Sequence, residues 1–189
     1  DNMLKDKDIR VTLISEIAKL NQNNDYRLVE ELVVCDGDAR VDIAVINDKL
    51  CGYEIKSDRD TLERLSRQID AYNKTFDYIT IVVGEKYKEN IIHEIPSWWG
   101  IQVALKDTNK VLIKSIRPAI INDEVDARSV IELLWKDEIL KLLKSKGIKG
   151  LSNKNRRKLR DIAIEAIPPN EIIEYTREAL KVRKGWRAD

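Results

Sequence analysis

The sequence predicts an α/β fold: a core ordered helix, three-strand meander, helix, strand, followed by an all-helical C-terminal extension. Three observations predict it. Apolar residues recur at helical spacing over residues 4–20 and again from Asp58 to Lys74. Between those stretches lie three short β-rich runs with links so brief that an antiparallel meander is the economical arrangement. Beyond Pro118 only helical patterns remain.

The first helix is carried by Leu4, Ile9, Leu13, Ile17 and Leu20, and the polar stretch Asn21 to Asp25 ends it. Arg27 to Cys35 is the first strand, closed by the turn signal Asp36-Gly37-Asp38. Arg40 to Ile46 is the second and Leu50 to Lys56 the third. Leu62, Leu65, Ile69 and Tyr72 form the stripe of the second helix. Tyr78 to Val83 follows as a strongly apolar strand, expected parallel to the third because a helix separates them. A short helix from Lys86 to Glu94 and strands at Ile101 to Leu105 and Val111 to Ile116 complete a first domain, residues 1–117. Residues 118–189 then read as helices at Ala127 to Lys144, Asn153 to Ala166 and Pro169 to Arg183.

Composition bounds the setting. The chain has 189 residues, enough to bury a real core, and 35% of them are charged. The net charge of +1 says little about partners, because the placement of charge is what matters. No apolar run approaches the roughly 20 residues a membrane helix needs, and no secretory signal is visible. Cys35 and Cys51 sit in apolar strands and read as reduced core residues. A cytoplasmic protein without a membrane partner or a small-molecule organic cofactor is expected. Met3 is the single methionine, so Asp1 and Asn2 read as an addition ahead of it. With His93 as the single histidine, histidine-based metal clusters and Ser-His-Asp arrangements are nearly excluded.

Three residues sit oddly in their strands. Alternation puts Asp42, Ala44 and Ile46 on one face of the second strand and Val41, Ile43 and Val45 on the other. Asp42 is therefore a carboxylate in an apolar strand, where an unpaired charge is costly. In the third strand Glu54 and Lys56 share a face. Phosphodiester hydrolysis explains all three, since a divalent cation holds the phosphate and lowers the pKa of an attacking water. Asp42, Glu54 and the backbone carbonyl of Ile55 would hold Mg²⁺ or Mn²⁺, with Lys56 beside the developing charge. Of the upstream acids Glu30 and Glu31, the second is favoured, because Glu30 shares a face with Leu32 and Val34. Arg64, Gln68 and Tyr72 recur along one side of the second helix. Gln68 is taken as a site residue; Arg64 and Tyr72 touch nucleic acid or, respectively, pair with Asp60 and fill the core.

A strand-borne Asp42, then Glu54-x-Lys56 on the next strand, then a helix with Gln68 and Tyr72, resembles the PD-(D/E)XK nuclease superfamily. The stretches Gly37 to Asp42, Gly52 to Ser57, Asp60 to Leu65, Trp98-Trp99-Gly100 and Gly185-Trp186-Arg187 resemble a bacterial and phage branch of small nuclease-like proteins within it. The resemblance spans most of the chain and departs where Val41, not proline, precedes Asp42. It implies a restriction-endonuclease-like core with its acids at one sheet edge, Mg²⁺ or Mn²⁺ dependence, and DNA as substrate, cut as an endonuclease.

The bland readings stand beside these. Glu54 and Lys56 would form an ion pair on a solvated face. Arg40 contacts phosphate or balances the acids. Trp98 and Trp99 stack on bases or cap the core. From Lys141 to Arg160 every charge is basic, including Lys154, Arg156 and Arg157, which marks a DNA-docking segment or a solvated helical face. Cutting both strands of a duplex often uses two sites, so a homodimer is one expectation; a nucleic-acid-binding module that is inactive alone is the alternative to an active enzyme.

Overall fold

A computed structural model describes residues 3–186. Asp1, Asn2 and Arg187, singled out above, lie outside those residues. The fold is α/β, built on a six-stranded mixed sheet in the order β1-β2-β3-β4-β5-β6. Helix α1 (Asp6–Leu20) precedes the meander β1 (Arg27–Val34), β2 (Ala39–Ile46) and β3 (Leu50–Lys56), which is antiparallel throughout. Helix α2 (Leu65–Thr75) then carries the chain over to β4 (Tyr78–Val83), parallel to β3, and β5 (Gly100–Asp107) continues parallel. β6 (Lys110–Arg117) turns back antiparallel to form the far edge. Among the described residues no helix is long and apolar enough to cross a membrane.

The sheet is covered on both faces. Ile9, Leu13 and Ile17 of α1 bury against Ile43, Val45, Ile55 and Val82 on one side. On the other, Leu65, Ala71, Tyr72 and Phe76 pack with Ala44, Ile46, Ile81 and Trp99. Each buried Val, Leu, Ile or Phe side chain among them contributes about 1.5–3 kcal/mol. Gly52 permits the approach, since a Cβ there would lie 3.2 Å from the Phe76 ring. That contact lays α2 close along β3. Four helices, α3 (Ala127–Ile131), α4 (Lys136–Ser145), α5 (Arg156–Ala166) and α6 (Pro169–Val182), share a second core around Ile131, Leu143, Leu159 and Ile172. The stretch leading to them is tied to the sheet layer, with buried Asn122 donating to the carbonyls of Asn73 and Phe76 at 2.7 and 2.9 Å.

Several expectations are corrected. Leu20 ends α1 at 72% exposure, outside the apolar stripe. The second helix starts at Leu65, not Asp58, because Asp60 accepts from the Ser57 amide and hydroxyl and holds residues 57–60 as a turn. The helix expected over Lys86 to Glu94 is two 3₁₀ turns, Glu85–Tyr87 and Ile91–His93. The single helix expected from Ala127 to Lys144 is broken into α3 and α4, where Glu138 reaches back to the Trp135 amide at 2.7 Å and caps a new start. The last correction concerns strand faces. Val41 packs with Ala44 and Ile46, not with Ile43 and Val45. Glu31 is its cause: at φ 57° it sits in the left-handed region, and the Glu31–Asp42 position is missing from an otherwise regular β1–β2 register.

Candidate functional site

The site forms where β2 and β3 part company. Their pairing runs from Ile46–Leu50 to Ile43–Tyr53 and stops one step before Asp42 and Glu54 would pair. Asp42 replaces the missing ladder bond with its side chain, accepting from the Ile55 amide through Oδ2 at 2.7 Å. Its other oxygen, Oδ1, accepts from Arg10 Nη2 at 2.9 Å. Burial pushes the Asp42 carboxyl above its ordinary range despite these two donors.

Glu54 and Lys56 are 3% and 4% exposed, which rejects the solvated-face reading. Glu54 Oε1 accepts from Gln68 Nε2 at 2.9 Å and Lys56 Nζ at 3.3 Å, and Oε2 accepts from the Tyr72 hydroxyl at 2.7 Å. Gln68 and Tyr72 reach it because they lie one turn apart on the α2 face that Gly52 admits to β3. Burial, then the charge of Asp42, push the Glu54 carboxyl up to about 8, against Lys56 and the Tyr72 hydrogen bond. Burial and the neighbouring Glu54 likewise hold the Tyr72 phenol well above its usual value. Tyr72 fills the core role: fully buried and stacked on Trp99, it touches the site through its hydroxyl alone. No exposed surface remains on it for nucleic acid, so that assignment is corrected.

The residue that sequence reasoning missed is Arg10. Its guanidinium, anchored to Asp6 at 2.9 Å, meets Asp42 at 2.9 Å, Glu31 at 3.0 Å and Glu30 at 3.5 Å. Burial works against its charge, but the Asp6 hydrogen bond and the charges of Asp42, Asp6 and Glu31 raise its pKa overall. The kink at Glu31 lets both upstream acids reach this guanidinium, so strand alternation does not separate them. The i, i+4 spacing of Asp6 and Arg10 is the one trace of this hub in the sequence.

Other candidates fall as follows. Arg40 is exposed and pairs with Glu31 at 2.8 Å, so it balances an acid. Arg64 is exposed at the start of α2, and the turn-forming Asp60 engages Ser57. Trp99 is core, its Nε1 donating to Asn73. Lys154 is half-buried, Arg156 and Arg157 are exposed at the start of α5, and Arg160 is buried against Asp36 at 3.0 Å.

Among the described residues no three His, Cys, Asp or Glu side chains are grouped to hold a metal ion. A hard cation such as Mg²⁺ takes one or two carboxylates and keeps several waters, so a smaller donor set suffices. Asp42 and Glu54 supply two carboxylates whose repulsion a cation would relieve. Gln68 Oε1 beside them is a buried acceptor without a donor, which a metal-bound water would satisfy. On that chemistry the residues present fit such an ion.

Known proteins place the chain in a lineage. No solved structure matches it significantly. Protein cII of Enterobacteria phage P4 is 26% identical over 181 residues, covering 96% of this chain and 68% of its own length. The family described as bacteriophage P4 protein cII matches residues 1–187. The chain therefore belongs to the bacteriophage P4 protein cII family.

Proposed function

We propose that the chain is a divalent-metal-dependent nuclease of the PD-(D/E)XK type, hydrolysing phosphodiester bonds in DNA on a restriction-endonuclease-like core. One observation carries the reading: Glu54, buried beside Asp42, has a single cation contact, Lys56 at 3.3 Å, and otherwise neutral donors from α2. A buried acid so poorly neutralised is costly as structure and useful as a cation ligand.

Asp42, Glu54 and the Ile55 carbonyl would hold Mg²⁺ or Mn²⁺, which when bound polarises a phosphate and acidifies a water. The protein's own groups do the rest. Gln68 and Tyr72 fix the Glu54 carboxylate in one rotamer. Lys56 places a cation next to it, where charge grows on the phosphate in the transition state. Arg10 holds Asp42 in place and offsets Glu30 and Glu31, which would otherwise repel a phosphate. The helical segment α3–α6 is read as a DNA-docking or oligomerisation module.

Incubation with DNA, with and without Mg²⁺ or Mn²⁺, tests the proposal. Metal-dependent cleavage lost in both Asp42→Ala and Glu54→Ala is expected, and cleavage that survives both rejects this site. Arg10 on Asp42 Oδ1 favours a second reading, a binding module that does not cut alone. Salt-dependent DNA binding without turnover under either metal would select it.

A further inference from the structure

Beside the acids, a cleft of about 1220 Å³ separates β1 from the helical segment. Residues 29–33 of β1 line one side, including Glu30 and Glu31, and Arg156, Arg157, Arg160 and Trp186 line the other. β1 is an outer strand of the sheet, with β2 as its sole strand neighbour.

The charges in this cleft do not cancel evenly. Glu30 and Glu31 are engaged by Arg10, and Glu31 also by Arg40. Asp36 is engaged by Arg160 at 3.0 Å. Arg156 and Arg157 are exposed and have no acid in ion-pair range among the described residues. They stand with Lys158 in the first turn of α5, which holds no acid. Arg157 lies one turn before Asp161, whose carboxyl its charge helps to hold down, but the helix dipole disfavours cations in this first turn and favours an anion.

Two further atoms point the same way. Arg160 is 6% exposed, with Nη1 on Asp36 and Nη2 on the Glu132 carbonyl, yet its Nε is buried without an acceptor. Trp186 Nε1 is likewise buried and unpaired. Both are donors, both belong to residues lining the cleft, and an unmet buried N–H is costly. An oxygen-rich anion would satisfy them.

We infer that this cleft seats the phosphodiester backbone of a nucleic-acid strand running along β1 from the acid cluster to the start of α5. The inference rests on the nuclease reading for the identity of the polymer. Length favours a strand over a single anion: the β1 wall from Val29 to Val33 spans at most roughly 13 Å of strand, more than one phosphate takes at about 3.4 Å per nucleotide along a duplex.

The test measures binding of fluorescent single-stranded and duplex oligonucleotides across a salt series, in EDTA so that no cutting intervenes. R156A/R157A alters two exposed side chains, and circular dichroism verifies its fold. It is expected to weaken binding about tenfold or more and to flatten the slope of log K against log salt by about 1–2. W186F, which keeps the ring and removes the N–H, is expected to weaken it less. Parental affinity and slope in R156A/R157A overturn the cleft, as does a parent that binds neither oligonucleotide but takes an acidic peptide. A parent that binds through these arginines without cutting in Mg²⁺ or Mn²⁺ sinks the nuclease reading and leaves the cleft standing. A parent whose cutting and binding both ignore them does the reverse.

Discussion

Two carboxylates are buried at opposite ends of the β3–β4 pair, and they are held in different ways. Asp77, just before β4, is 4% exposed and clasped by Arg177 of α6 at 2.6 and 3.1 Å, with the Leu50 amide at 2.7 Å. Glu54, near the other end, is 3% exposed and receives Tyr72, Gln68 and Lys56 but no guanidinium. The first is matched by a full bidentate counter-charge and joins the helical segment to the sheet. The second is left beside another acid. Equal burial and three donor bonds apiece still leave the two acids in different settings: Asp77 has a bidentate guanidinium, whereas Glu54 has one lysine contact at 3.3 Å and Asp42 as a neighbour.

The largest expected effect tests the anchor. Asp77→Ala strips the buried carboxylate's half-buried partner Arg177 of its counter-charge and should cost about 3–5 kcal/mol in urea denaturation. A loss below 1 kcal/mol would erase the contrast. The pH dependence of stability comes next. The Glu54 carboxyl is raised from 4.5 to about 8 in the folded chain, so between those values the native state holds a proton that the unfolded state has released. Stability then falls as pH rises through that window, and Glu54→Gln should flatten the fall. An unchanged slope in the variant would show that Glu54 is not the group responsible. Tyr72→Phe keeps the ring packing and removes one donor to Glu54, which should cost about 1–2 kcal/mol and move the Glu54 titration higher still. A titration moving lower would mean that the hydroxyl does not favour the charged form. Smallest of all, Arg40→Ala breaks an exposed pair with Glu31 and should cost less than about 1 kcal/mol.

The same contrast explains what could be read in advance. Asp42, Glu54 and Lys56 stood out because charged residues interrupt apolar strands, and Gln68 and Tyr72 because they recur one helical turn apart. These are local periodicities, visible without coordinates. Arg10 was hidden: it lies 32 residues before Asp42 on a helix whose polar side reads as solvated, and only the packing of α1 on the sheet brings it to the acids. The choice between Glu30 and Glu31 was hidden for another reason. Alternation assumes an unbroken pleat, and the left-handed Glu31 breaks it.

By itself, then, the sequence determined the six strands and most of the helices, that the sheet is interleaved with helices, and which acids are out of place in it, because hydrophobic periodicity and the cost of burying charge act over a few residues. The tertiary structure decided which cation meets those acids, that Glu54 is gripped by Gln68, Tyr72 and Lys56 while Asp77 is gripped by an arginine, and that the basic first turn of α5 faces β1 across a cleft. Those outcomes depend on contacts between residues 14 to 124 positions apart, and no short-range pattern encodes which partners meet.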